Sequence, residues 1–395
     1  MMKNVYLIAA AAAAVLVAGC AKNEVIQTQQ EKTPVTFGVY NGKMATKAVS
    51  STTFGQINTN PLLQGSVGFG VFAYYSDGAA NAYTPAPLAV PNSNFTPNFM
   101  YNQLVEYDTD HWTYSPIKYW PNEYNTDDAI GADIDRLTFF AYAPHVTTVG
   151  TEGITAFSAN TATGDPTITF IVPAKEEEQI DLLWSDANTT NQTKYDLSGK
   201  VTFTFKHALS NLTILPIAVV DTKTTIPASS GKDVATGTLV KVNSITVTGK
   251  FNQQGTLNLA TGAWTSSAAT TDQTVTYAPA TALDVTLIND KAEANTTYGA
   301  NPSDFPEFMF IPSSSAQDYV ITINYDFITT DAAVDGGTVT VHNVIHKTLS
   351  SVNFQEGKKL KLYVGLGMTT VLFDASVADW TDVDPAMDVW LPVNL

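Results

Sequence analysis

Cysteine is almost missing: Cys20 is the single thiol in 395 residues. No disulfide can therefore staple the chain internally, and metal or packing must hold it together. Arginine is as scarce, with Arg136 alone. Lysine and arginine together number 20 against 37 acidic residues, a net charge of −17, which argues against nucleic acid and against docking on anionic lipid through a basic patch. Charged residues make up 14% of the chain, so the surface must rely on Thr, Ser, Asn and Gln. No stretch keeps a sustained 3.6-residue period, and no short internal repeat is visible, which disfavours helical bundles, solenoids and propellers. There is no phosphate-cradling glycine loop, nucleophile elbow, dinucleotide fingerprint or HExxH. Neither an enzyme nor a bound cofactor or metal is expected.

What is present begins with MMKNVYLIAAAAAAVLVAGC. Lys3 precedes an apolar run from Val5 to Ala18 that is too short and too alanine-rich for a good spanning helix. It reads as a secretory signal over residues 1–19. Val17, Ala18 and Gly19 before Cys20 look like a lipobox, where cleavage makes the cysteine a lipid-bearing N-terminus. An ordinary signal with a chance cysteine is the alternative. The remainder is long enough for two domains of about 150 residues or more.

Residues 21–32 are polar and read as a tether. Beyond them the chain is strands and turns, rich in Val, Ile, Thr, Tyr and Phe and punctuated by Gly, Pro, Asn and Asp. Strands are expected at 66–75, 136–144, 167–173, 200–215, 241–251, 305–312, 318–327, 337–346 and 358–368. An all-β chain of Greek-key sandwiches follows. The polar break SDANTTNQTKYDLSGK at 185–200 places the domain boundary, giving domains 48–195 and 196–395.

Two short segments stand out by their alternation. Val35, Phe37 and Val39 precede an Asn41-Gly42 turn signal, and Lys43 and Lys47 follow in small-residue surroundings open to a protease. At the other end, Met387, Val389, Leu391, Val393 and Leu395 put five apolar side chains on one face of 386–395. Burying them is worth on the order of 10 kcal/mol before ordering costs. A one-residue slip would turn Asp388 and Asn394 inward, so the register is strongly fixed.

Other candidates for chemistry are weaker. His342 and His346 share the four-residue spacing of a helical zinc pair but lie in a strand pattern without the glutamate. Asp127, Asp128, Asp133 and Asp135 lack calcium-loop spacing and read as a solvated acidic turn. The segment 101–124 holds Tyr101, Tyr107, Trp112, Tyr114, Tyr119, Trp120 and Tyr124. Trp112, Tyr114, Tyr119 and Trp120 are a candidate ligand surface for stacking on sugars, with packing at a sandwich corner as the competing reading.

HWTYSPIKYWPN followed by LTFFAYAP resembles the Trp-x-Tyr, Tyr-Trp-Pro and Phe-x-Ala-Tyr-x-Pro elements of the fimbrillin-like proteins of Bacteroidetes. DLLW at 181–184, FKHALSNLTI at 205–214 and VADWTD at 377–382 resemble later landmarks of that family in the same order. The resemblance implies a subunit of a type V pilus: two transthyretin-like β-sandwich domains in tandem, exported as a lipoprotein to the outer membrane and serving cell adhesion. It implies partners too, namely other pilus subunits and outer-membrane lipid through Cys20, with a host or bacterial surface ligand for an adhesive subunit. In that family a protease removes the N-terminal segment with its first strand, and a neighbour's strand fills the groove. Here the removable segment is 20–47 with Val35, Phe37 and Val39, and the cut falls between Lys47 and Ala48. The family's cleavage commonly follows arginine, so Lys47 points to a lysine-accepting protease. The donor is 386–395, with pairing inside its own sandwich as the alternative. A non-polymerising surface lipoprotein that binds glycan or host protein through its aromatic segment is the second reading of the whole.

Overall fold

A computed structural model of the chain describes residues 32–39, 68–76, 95–108, 111–121, 135–185, 189–193, 199–219, 238–266, 269–300, 304–330, 337–367 and 371–379. Cys20, Lys47, Ala48, the expected donor segment 386–395 with Met387, Val389, Leu391, Val393 and Leu395, and also Asp127, Asp128, Asp133 and Tyr124, lie outside the described residues. The chain divides into a unit of residues 1–33 and a unit of residues 34–395, and everything below belongs to the second.

In chain order the strands are β1 (Thr36–Val39), β2 (Phe69–Ser76), β3 (Met100–Asp108), β4 (His111–Thr113), β5 (Arg136–Ala143), β6 (Gly153–Phe157) and β7 (Thr167–Ile171). They continue with β8 (Leu183–Ser185), β9 (Lys200–Phe203), β10 (Phe205–His207), β11 (Ser210–Ala218), β12 (Thr238–Gly249), β13 (Gln254–Asn258) and β14 (Trp264–Ser266). The last are β15 (Gln273–Tyr277), β16 (Leu283–Asp284), β17 (Glu307–Phe310), β18 (Gln317–Thr330), β19 (Thr338–Val352), β20 (Lys358–Leu366) and β21 (Val371–Asp379), with one α-helix, α1 (Lys291–Ala300), and a 3-10 turn at Glu176–Glu178 among the described residues. The all-β class is thus the observed one.

A six-stranded sheet, β10-β8-β5-β2-β3-β4, forms the wall between two hydrophobic cores. Phe69, Val71 and Ala73 of β2 with Leu137, Phe139 and Ala141 of β5 face one core, while Phe72, Tyr74, Phe140 and Tyr142 face the other. Burial on both faces explains why these two strands read as nearly continuous apolar runs rather than alternating ones. The first core is closed by the two-stranded parallel sheet β1-β9. The second is continuous with the sheets β14-β13-β7-β6, β17-β11-β20-β21 and β15-β12-β18-β19.

The stretch 200–215, read above as one strand, is three: β9 pairs with β1, β10 with β8, and β11 with β17 and β20. Ladders also cross the expected boundary at 195/196, since β10 pairs with β8 and β13 with β7. Helix α1 is short and polar. Asp290 accepts from the Glu293 backbone N–H at 2.8 Å and Glu293 reaches back to Asn289 N at 2.8 Å, a capping-box arrangement that starts it. Its buried residues, Ala294 and Tyr298, are one turn apart.

Candidate functional site: the seat of the first strand

β1 is only four residues long, yet it feeds the core behind the six-stranded sheet. Val35 just before it and Phe37 within it are 1% and 3% exposed, while Thr36 between them faces out. That is the period of two read from the sequence. Phe37 enters a ring of aromatic side chains: its centroid lies 5.2 Å from Tyr114, 5.8 Å from Phe139, 5.8 Å from Phe203 and 6.4 Å from Phe69. Val39 is half-buried at the edge of the same core. Burying two such side chains contributes about 3–6 kcal/mol gross.

The backbone of β1 is held more thinly than its side chains. Its ladder runs parallel to β9, with Phe37 opposite Val201 and Val39 opposite Phe203. Its other edge meets an isolated bridge between Pro34 and Tyr119 and the bond from Val35 N to Lys118 O at 2.9 Å. Two aromatic side chains fasten its start. The Tyr114 hydroxyl donates to Val35 O at 2.9 Å, and the Trp120 indole donates to Gly199 O at 3.1 Å, the carbonyl that also receives Thr36 N at 3.1 Å. Burial pushes the Tyr114 phenol above its usual pKa, against a weaker opposing effect of its bond with Lys118, so the hydroxyl remains a donor at neutral pH.

This places the aromatic residues proposed above as a ligand surface. Tyr114 and Trp120 are buried, and they line the seat of β1 instead of facing solvent. Trp112 is half-buried, its ring 4.9 Å from Phe69 and 5.2 Å from Tyr107. Tyr119 is 45% exposed at the rim. The four therefore do not share one open face, and the corner-packing reading describes Tyr114 and Trp120.

The histidines have separate partners. His342 and His346 sit on β19 with Nδ1 at 2.6 Å from Asp326 Oδ1 and 2.9 Å from Thr322 Oγ1, across the ladder on β18. His207 Nδ1 lies 2.8 Å from the buried Asp181, and His145 Nε2 lies 3.3 Å from Asn102 O. Among the described residues no three His, Cys, Asp or Glu side chains converge as a metal site.

Phe69, Phe139, Val201 and Phe203 were not singled out from the sequence as lining of this seat. The alternation Val201, Phe203, Phe205 is the signal that marks the β9 side, once its partner is known.

The motif residues Tyr114, Trp120 and Phe139 all contribute to this seat, and the profile of the family described as Fimbrillin-like matches residues 46–380. The chain belongs to the fimbrillin-like family. Among curated relatives it is similar to fimbrium subunit Fim1C of Phocaeicola vulgatus, 28% identical over 94% of this chain and 95% of that one. Among solved structures it is similar to a fimbrial protein of Bacteroides vulgatus, with a TM-score of 0.59 and 22% identity over 88% of this chain and 99% of that one. That structural likeness carries the fimbrillin-like β-sandwich fold.

Proposed function

We propose that this fimbrillin-like chain is a structural subunit, tip or anchor of a cell-surface adhesion fimbrium, and that β1 is a temporary occupant of its seat. The observation that carries this reading is the mismatch at β1: deep aromatic burial of Phe37 on a four-residue strand with a single ladder. A plug of that kind is replaceable by any strand presenting apolar side chains at the same spacing. The family match supports the reading in a second way, since 46–380 leaves out both β1 and 386–395 and starts one residue before Lys47.

In this reading the chain is exported under its signal, lipidated at Cys20 and held on the outer membrane. Its body is two transthyretin-like sandwiches in tandem, 48–195 and 196–395, with β9 and β10 returning to complete the first and β13 and β14 extending the β7-β6 pair. Cleavage between Lys47 and Ala48 removes β1. The loss bares Phe203, Phe139 and Tyr114 and frees the β9 edge, an apolar slot with unpaired backbone groups. A donated strand 386–395 of another subunit fills it, Met387, Val389, Leu391, Val393 and Leu395 taking over from Val35, Phe37 and Val39. Pairing with β9 supplies ladder hydrogen bonds, and the alternation sets the register.

Low-dose digestion of the mature chain with a lysine-specific protease tests this. The expected result is a new N-terminus at Ala48 and a shift to oligomers on size-exclusion chromatography that vanishes when 386–395 is deleted. A cleaved chain that stays monomeric, or oligomers that survive the deletion, would overturn the proposal.

A further inference from the structure

Far from the seat of β1, three neighbouring strands place an unusual set of polar side chains on one buried face. Along β11, Asn211 and Thr213 point the same way. On one side β17 sets Met309 opposite Asn211 and Glu307 opposite Thr213. On the other, β20 runs parallel and sets Lys359 beside Asn211 and Lys361 beside Thr213. Asn211 and Thr213 are fully buried, and Glu307, Lys361 and Lys359 are 5%, 7% and 8% exposed.

The Glu307 carboxyl is the hub. Its Oε1 accepts from Lys359 Nζ at 2.8 Å and from the Tyr298 hydroxyl and lies 3.2 Å from Thr213 Oγ1, and its Oε2 faces Asn211 Nδ2 at 3.5 Å. Thr213 Oγ1 also lies 2.7 Å from Asn211 Oδ1. Lys359 Nζ donates to the Tyr298 hydroxyl and stands 4.7 Å from that ring, with Lys361 Nζ at 5.4 Å. Helix α1, which carries Tyr298, packs against β11.

As a stabilising ion pair this is a poor investment, because removing charges from water costs about as much as their attraction returns. Its chemistry is more specific. An amine, a carboxamide and a carboxyl that bonds to both stand together in a water-poor site. We infer that Lys359 and Asn211 become joined by an intramolecular isopeptide bond, with Glu307 as the catalytic residue.

Each step has its group in place. A proton passes from Lys359 Nζ to Glu307 Oε1 along their hydrogen bond, leaving a neutral amine, the nucleophilic form. In-register neighbours on paired strands stand about 5 Å apart and share a face, so a turn of the lysine stem carries Nζ onto Asn211 Cγ. The Nζ–Cγ bond forms while the Thr213 hydroxyl donates to Oδ1, where negative charge develops. Glu307 returns the proton on the Oε2 side to Nδ2, the Cγ–Nδ2 bond breaks and ammonia leaves, and the freed carboxylate takes the second proton from Nζ, leaving the neutral secondary amide. Amine plus primary amide gives secondary amide plus ammonia, with no redox change and no co-reactant. The product staples two parallel strands at the middle of the β17-β11-β20-β21 sheet, where a pull along the chain would otherwise shear them apart. None of this depends on strand exchange at β1.

Intact mass of the full chain under denaturing conditions, followed by peptide mapping, tests the inference. The expected wild-type mass is below the sequence mass by one ammonia, and the digest contains a branched peptide joining Asn211 to Lys359. Glu307→Gln should restore the sequence mass while near-ultraviolet circular dichroism still reports a packed core. Asn211→Asp should lose one water instead of one ammonia. A wild-type mass equal to the sequence mass overturns the inference even if no variant folds. So does an ammonia loss that maps to another asparagine, such as a succinimide at Asn41-Gly42.

Discussion

Phe37 and Phe203 lie with ring centroids 5.8 Å apart and planes within 20° of parallel, one on β1 and the other on the strand that pairs with it. The pair sits inside the core formed behind the six-stranded sheet, so it reports whether β1 is seated.

Phe37→Ala is expected to destabilise the uncleaved chain by about 3–5 kcal/mol, the usual cost of truncating a buried phenylalanine. If cleavage removes β1 as proposed, the same substitution should leave the cleaved, assembled fimbrium unchanged. Thermal melts of both forms check this. An equal loss in both would mean that β1 stays in place.

Tyr114→Phe removes the hydroxyl that holds Val35 O while keeping the ring 5.2 Å from Phe37 in place. The expected loss is about 1 kcal/mol. Its clearer effect is kinetic: protease cutting ahead of Ala48 and exchange of β1 should both quicken. Time courses of digestion against wild type measure it.

How far this seat could be read in advance differs from residue to residue. The alternation of Val35 and Phe37 is local, and period two suffices to predict a strand with one buried face. Its destination is not local: Val201 and Phe203 lie more than 160 positions away, and nothing near Phe37 names them. The stretch 200–215 shows the same limit. Each of its three pieces keeps a strand pattern, so the sequence looks unbroken, while the backbone leaves one sheet for another at Thr204 and again at Ala208–Leu209. For Tyr114 and Trp120 the sequence favours corner packing but leaves a ligand surface open, because an aromatic side chain with a polar tip suits both. Helix α1 hides for a different reason: its two buried residues make too weak a stripe, although Asp290 and Glu293 spell its capping box.

Gly262 occupies the left-handed region, φ +72°, in the turn between β13 and β14, and a Cβ there would come 2.0 Å from Trp184 Cζ2. Trp184 is held in turn by its indole bond to Glu356 at 2.8 Å. Gly262→Ala must therefore displace the tryptophan as well as strain the backbone, and a loss of about 2–4 kcal/mol is expected. Chemical denaturation with Trp fluorescence reads both the stability and the moved ring.

Glu176 gives a pH dependence of defined sign. Burial, helped by the charges of Glu307 and Glu177 and opposed by the Glu307 N–H bond, pushes its carboxyl from 4.5 up to about 7. The folded chain therefore holds a proton that the unfolded chain has released between these values. The stabilisation is present at low pH and is lost as pH rises toward about 7. Glu176→Gln should match wild type near about pH 5 and exceed it by about 1–3 kcal/mol near about pH 8. Melting curves across that range decide it, and a difference that does not change with pH would contradict the assignment.

Phe139 and Phe140 are chain neighbours on β5, yet the first touches Phe37 and the second belongs to the opposite core. Emptying the seat of β1 would leave slack on one side of a sheet only one backbone thick. Amide exchange in β2 and β5 would then quicken even where their side chains look away from the vacancy, and under the proposed strand exchange this would give the far side of that sheet a gauge of whether the seat has been refilled.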